Sequence, residues 1–279
     1  VRPLLASWIA RRRAPQSRIR YARHGDASPL LAATDEQARA LEAALGAPVA
    51  VAMRYGRPTS DEALEELAAR GVSRIVALPL YPQYSTTTSA TSLAALRDAA
   101  GSREMEIAEV ASYPELPGLV DALARAAAAR LEQAGGATET HLLFAAHGIP
   151  MSRVRAGDPY PEQVNATARA VAERLDVPWS LGFQSRVGPV RWLEPSVDEE
   201  IDRLAGEGIE ALVVQPLTFV SENLETLDDL DRELADRARE RGIGCFLRGS
   251  APGTDPAFIE GLADTAVQRA TASGWLADG

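Results

Sequence analysis

The sequence contains no lysine; all 29 of its basic residues are arginine. A lysine imine is therefore impossible, which excludes pyridoxal-phosphate enzymes and other Schiff-base chemistry. Cysteine is nearly absent too: Cys245 stands alone in 279 residues. One thiol builds neither an internal disulfide nor a cysteine-ligated zinc or iron–sulfur site, so a reducing compartment, the cytoplasm, is the expectation. Positive charge is short as well, with 39 acidic residues giving a net −10. With no basic half to balance the acid, a nucleic-acid partner is not expected. No apolar run approaches the ~20 residues that span a bilayer. The segment after Val1 lacks a signal-peptide pattern, because its basic residues follow the short apolar stretch.

What remains is an ordinary globular composition, 46% hydrophobic and 24% charged, long enough for one large domain or two smaller ones. An internal repeat favours two. Gly71–Leu80 (GVSRIVALPL) matches Gly208–Leu217 (GIEALVVQPL) without a gap. Each copy reads as the glycine stop of a helix followed by a buried apolar strand ending in proline. Further strands are expected at Val49–Tyr55, at 140–146 and at Trp179–Gln184. Helices are expected near 60–70 and 196–206, where apolar residues recur at helical spacing. Pro256 to Ala270 reads as a last helix. Alternating strands and helices with non-alternating apolar strands imply parallel sheets. The expected fold is α/β, with two similar lobes, each a parallel sheet covered by helices on both faces, and a cleft between them. The expected boundaries are 1–134 for the first lobe, 137–250 for the second and 251–279 for a C-terminal helix packing back on the body. The second lobe opens with the strand ending at His147, and the first has no counterpart before Val49. A strand and its loop are therefore expected upstream of Val1.

Candidate chemistry begins at Leu142–Pro150 (LLFAAHGIP), where an apolar strand delivers His147 into a loop bent by Gly148 and Pro150. Ligands of open α/β sheets bind at such strand ends, and imidazole exchanges protons near neutral pH. Downstream lie Gly157–Gln163 (GDPYPEQ), Gln184–Pro189 (QSRVGP) and Ser221–Leu227 (SENLETL). Glu225, Asp229 and Glu233 recur at i, i+4 and i+8, one face of an α-helix. Acids near a helix start also simply favour its dipole. His24, in a polar loop, and His141, opening a strand, read as structural, as does Arg186.

Together with Ser28-Pro29-Leu30, Met53-Arg54-Tyr55-Gly56 and Leu80–Ser85 (LYPQYS), and with the two runs after Gln163 extended to Gln184–Pro195 and Phe219–Leu227, these runs resemble the ferrochelatases over about Arg18 to Asp264. The resemblance implies a chelatase-like two-lobed fold holding a porphyrin in the cleft, with Fe2+ as the second substrate. The product is haem, with two protons released from protoporphyrin IX or coproporphyrin III. It implies His147 and Glu225 as catalytic residues, and His147, Glu225, Glu222, Asp229 and Glu233 as metal-handling groups. Carboxylates suit ferrous iron because they hold it less tightly than thiolates. It further implies Arg54, Tyr55, Tyr81, Tyr84, Ser85 and Trp192 as porphyrin-binding residues. No permanent cofactor is expected. Some relatives carry a [2Fe–2S] cluster, which one cysteine cannot build.

Leu4, Leu5, Trp8 and Ile9 match a hydrophobic lip that could touch a membrane peripherally; a packed surface helix is the competing interpretation. One departure stands out: the family usually has Ser-Asp-His-x-Glu where this chain has Ser221-Glu222-Asn223-Leu224-Glu225. The rivals are a non-catalytic or truncated porphyrin-binding paralogue, a chelatase for another metal or tetrapyrrole, and a generic two-lobed sensor.

Overall fold

Helix signals set most of the framework. The computed structural model describes residues 28–277 apart from 102, 136–138 and 187. Helix α1 (Leu30–Leu45) follows Pro29 and stops at Gly46, whose φ of 60° lets its N–H reach the Glu42 carbonyl. Helices α2 (Ser60–Ala69) and α7 (Val197–Gly206) each start with a full capping box, Thr59 with Glu62 and Ser196 with Glu199. These two boxes stand at equivalent places before Gly71 and Gly208, which extends the sequence repeat upstream through both helices. The strands after them, β1 (Arg74–Ala77) and β5 (Ala211–Pro216), start at equivalent residues.

The larger sheet has four parallel strands in the order β4-β3-β5-β6, formed by β3 (Thr140–His147), β4 (Trp179–Gln184), β5 and β6 (Cys245–Arg248). Every residue of β5 is buried, as the unbroken apolar run implied for a strand covered on both faces. Strand β3 divides its side chains between two cores. Leu142, Phe144 and Ala146 pack with α4 (Pro117–Gln133), α6 (Tyr160–Ala172) and the last helix, α9 (Pro256–Ala272). Leu143 and Ala145 face the other way, onto Ile201 and Leu204 of α7 and onto Leu230 and Leu234. The chain leaves β3 for β4 on one side and later returns to β5 on the other. The carboxyl end of β3 is thus the point where strand order reverses, and His147 is its last residue.

The second sheet, among the described residues, pairs β1 with β2 (Glu106–Glu109) in parallel. Val49–Tyr55, expected as a strand, is not one. A strand needs a neighbour to take up its backbone groups, and no described segment pairs with this one. Its backbone finds other partners instead: Met53 N–H donates to the Pro58 carbonyl at 2.7 Å, and Val49 N–H donates to the Glu42 side-chain carboxylate at 2.8 Å. Helix α3 (Ser89–Ala100) covers α2, and α9 packs against both α4 and α1. The expected lip residues Leu4, Leu5, Trp8 and Ile9, together with His24 and positions 136–137 of the linker, lie outside the described residues. Among the described residues no helix is long and apolar enough to cross a membrane.

The approach of α4 to α9 depends on a missing side chain. A Cβ on Gly118 would stand 1.9 Å from the Ala257 carbonyl oxygen, a backbone atom that cannot swing aside. Gly118→Ala should destabilise the protein by about 1–3 kcal/mol through overpacking. Gly206→Ala, where nothing lies within 4 Å, should be neutral or stabilise by up to about 1 kcal/mol. Urea denaturation midpoints measure both; equal midpoints would mean that the two helices do not meet so closely.

Candidate active site

His147 ends β3 in register with Gln184, the last residue of β4. Its backbone is held from two sides: its N–H donates to Thr218 Oγ1 at 3.1 Å, and its carbonyl accepts the Tyr160 hydroxyl at 2.6 Å. The imidazole stands edge-on to Phe219, with ring centroids 6.1 Å apart. Its Nδ1 lies 3.0 Å from Glu225 Oε2. The same oxygen accepts the Ser185 hydroxyl at 2.9 Å and the Gln184 amide at 3.3 Å. Ser185 makes this contact from a left-handed backbone, φ 67°, a conformation that costs a non-glycine residue on the order of 1–3 kcal/mol and collects at functional sites. Burial pushes the Glu225 carboxyl up, but the hydrogen bond with His147 and the charge that His147 carries when protonated, with the hydrogen bonds from Ser185 and Gln184, outweigh it. The net pKa is below the ordinary value, and the group is a carboxylate at neutral pH. Both side chains of the pair are reachable: those of His147 and Glu225 are 38% and 34% exposed.

Glu225 opens a π-helical segment, Glu225–Leu234, that continues as α8 (Ala235–Glu240). This corrects the expected α-helical row. With bonds from i to i+5 the faces shift, and Glu225 separates from the other two acids. Carboxylate oxygens of Asp228, Asp229 and Glu233 lie within 4.8 Å of one another and grade from buried through half-buried to exposed. Asp228 escaped the sequence reading because a period of 3.6 sets it off the Asp229–Glu233 face, whereas it stands five residues before Glu233. Its Oδ1 also accepts from Arg232 at 3.1 Å.

Glu222 is placed differently from a ligand with open oxygens. Its Oε1 accepts from Arg248 and from the Ala251 N–H, both at 2.9 Å, and its Oε2 accepts the Thr226 hydroxyl at 2.5 Å. Burial raises its pKa, and these donors more than reverse the effect. Asn223 is buried, and its Oδ1 accepts from the N–H groups of Glu225 at 2.8 Å and Thr226 at 3.3 Å. It closes the first turn as a capping residue does.

The porphyrin-binding candidates fall into three places. Arg54 stacks on the ring of Tyr55 at 5.0 Å, and Tyr55 is 78% exposed. Tyr81 belongs with them: burial raises its phenol pKa, Tyr55 adds to the rise and Arg54 opposes it. Trp192 lies beside the His147 loop, bridged through its backbone to Pro150. Tyr84 and Ser85 sit where the loop after β1 meets the loop before α6. Tyr84 N–H donates to Gln163 at 2.7 Å. Ser85 corrects the expectation of a substrate contact. It is fully buried, and its hydroxyl donates to Asp158 at 2.9 Å. Asp158 also receives the N–H and hydroxyl of Thr86 and the Tyr160 N–H. Ser85 therefore fixes the loop that carries Tyr81 and Tyr84. His141 Nε2 meets Ser180 Oγ at 3.0 Å and Arg186 meets Glu199 at 3.0 Å, contacts in keeping with the structural roles expected of both.

Comparison with known proteins identifies the family. The ferrochelatase family model matches residues 1–270. Ferrochelatase of Caulobacter vibrioides (strain NA1000 / CB15N) is 45% identical over 272 residues, covering 94% of this chain and 78% of that protein. Ferrochelatase of Geotalea daltonii is 39% identical over 269 residues, covering 95% and 84%. Among solved structures, SirB from Bacillus subtilis with Fe3+ superposes with a TM-score of 0.62 at 16% identity, over 86% of this chain and 90% of that one. The sirohydrochlorin chelatase SirB of Bacillus subtilis subspecies spizizenii, in complex with cobalt, gives 0.58 at 15% identity over 87% and 91%. Identities that low establish a shared chelatase fold and nothing finer. The sequence matches run through both sheets and the His147–Glu225 loops, and on them the chain belongs to the ferrochelatase family.

Proposed function

We propose that this protein inserts ferrous iron into a porphyrin, with His147 and Glu225 at the reacting centre. The observation that carries the reading is the 3.0 Å contact between His147 Nδ1 and Glu225 Oε2 at the strand-order reversal. An ionised Glu225 accepts only, so His147 donates from Nδ1 and its Nε2 is left with the lone pair. That nitrogen takes up a pyrrole proton. Metallation turns porphyrin plus Fe2+ into haem plus two protons, so a base beside the ring is required, and so is a ligand that holds the ion while it sheds water. Glu225 serves as that ligand, and Asp228, Asp229 and Glu233 hand the ion inward along their gradient of burial.

Arg54 and Tyr55 from the segment before α2, with Tyr81 and Tyr84 from the loop after β1, hold the porphyrin edge and its carboxylates, and Trp192 presses on the ring beside His147. Bending a porphyrin exposes a nitrogen lone pair to the metal, and strain of this kind can supply ~1–5 kcal/mol. Ser85 and Glu222 act through the loops they fix. Cys245, the single thiol of the sequence, leaves the reading without an iron–sulfur cluster. A cytoplasmic site of action, with peripheral membrane contact through Leu4, Leu5, Trp8 and Ile9, completes it.

The test is an anaerobic metallation assay with Fe2+ and either protoporphyrin IX or coproporphyrin III, the faster porphyrin identifying the natural one. His147→Ala should lower turnover by roughly 10²–10⁴-fold while porphyrin affinity, read by fluorescence quenching, stays within a few fold. Near-normal turnover would remove His147 from the reaction. Porphyrin binding without turnover in the unmodified protein would instead favour a non-catalytic binder. Glu225→Gln should be strongly impaired and Asp229→Asn mildly, with a raised KM for Fe2+ in the latter; equal losses would sink the ordering of ligand and hand-off.

A further inference from the structure

Gln37 lies on α1, far from the site in sequence, yet it is only 2% exposed and reaches the loop that carries the site. Its amide nitrogen donates to two carbonyls, Val220 at 2.9 Å and Gly253 at 2.9 Å. Its amide oxygen accepts the Ser221 hydroxyl at 2.6 Å. A primary amide is matched to this setting: two N–H donors meet two carbonyls, and one oxygen meets one hydroxyl. A carboxylate of the same length would face both carbonyls with no proton to offer.

The clip closes on a short path to the reacting groups. Gly253 N–H donates to the Val220 carbonyl at 2.9 Å, so Gln37 joins two strands of chain already in contact. Phe219, next to Val220, is the ring that stands edge-on to His147. Ser221, next on the other side, gives its carbonyl to the Asn223 amide at 3.2 Å, and Asn223 in turn accepts the Glu225 N–H at 2.8 Å. From Gln37 to Glu225 the linkage thus runs through hydrogen bonds of three buried side chains, Gln37, Ser221 and Asn223. Such groups cannot exchange their partners for water at low cost.

We infer that Gln37 is a positioning residue for metallation, holding the Phe219–Glu225 loop so that Phe219 and Glu225 meet His147. The inference rests on the proposed role of Glu225. No ligand contact is assigned to Gln37, so its loss should act on turnover and leave porphyrin capture intact. A displacement of even 1 Å at reacting groups can cost about 10²-fold.

The experiment uses the full chain and compares Gln37→Met, which keeps length without the amide, with Glu225→Gln and the double variant. The readouts are kcat, KM for Fe2+, porphyrin affinity and melting temperature. Gln37→Met is expected to lower kcat about ten- to a hundredfold with porphyrin affinity within a few fold. On the Glu225→Gln background it should cost little more, because the geometry it supports is already lost. Normal kcat in folded Gln37→Met, beside an impaired Glu225→Gln, overturns the inference alone. So does an equal loss on both backgrounds, which a general structural role would give. Normal turnover in Glu225→Gln overturns the role of Glu225 and the inference with it. If Gln37→Met does not fold, Ser221→Ala removes the loop end of the same clip and carries the same expectations.

Discussion

The hydrogen bond between His147 and Glu225 is the constraint to which the rest of the site answers. It joins the end of a sheet strand to the first turn of a π-helical segment, two elements that come together only because strand order reverses at β3. Strand β3 can place His147 so firmly because its neighbouring residues are divided between two apolar cores, and a one-residue slip would exchange those faces. The loop on the other side has no such register. It is located by polar contacts instead, with Gln37, Arg248 and the Ala251 N–H each holding part of Val220–Glu222. A rigid apolar element thus presents the imidazole, and a hydrogen-bonded loop presents the carboxylate.

The same division explains the electrostatics. Glu222, Glu225 and Asp158 are all drawn partly out of water, which raises a carboxyl pKa, yet all three end below their ordinary values. In each case several donors converge on the carboxylate. For Asp158 they are the hydroxyls and N–H groups of Ser85, Thr86 and Tyr160. Groups with depressed folded-state pKa values contribute stability above the ordinary carboxylate range, and that contribution is lost as pH falls through the folded values. The loops around the site are therefore held by interactions that weaken in acid, while the apolar faces of β3 and β5 are indifferent to it.

Much of this architecture was legible in the chain. The ungapped repeat located β1 and β5, the apolar run ending in His147 located β3, and Trp179–Gln184 was read to the residue. Those features depend on local sequence: caps, glycine stops and apolar runs. Val49–Tyr55 has the same apolar character but lacks a pairing neighbour among the described residues, and no local pattern reveals the neighbour. The helical row of Glu225, Asp229 and Glu233 failed for a related reason. Assuming 3.6 residues per turn aligns those three, whereas the π-helical turn brings Asp228 to Glu233 and releases Glu225 to His147. Ser85 and Glu222 carry suitable side chains, and only tertiary contacts show that their oxygens are already engaged.

Asn223 can now be placed. In the family pattern a histidine stands here, which invites a search for lost proton chemistry. The side chain is instead committed to backbone: its amide donates to the Ser221 carbonyl and its oxygen receives two N–H groups of the following turn. It supports Glu225 rather than substituting for an imidazole. His141 offers no replacement, since it lies near the opposite end of β3, roughly 20 Å away at ~3.3 Å per residue. On the proposed reading the pyrrole protons therefore meet, among the described residues, a single imidazole beside one carboxylate. When His147 Nε2 takes a proton, the positive charge that develops is stabilised by Glu225 at Nδ1, within the same hydrogen bond. The first proton is then passed on before the second is taken, and the 38% exposure of His147 gives it a direct route to solvent.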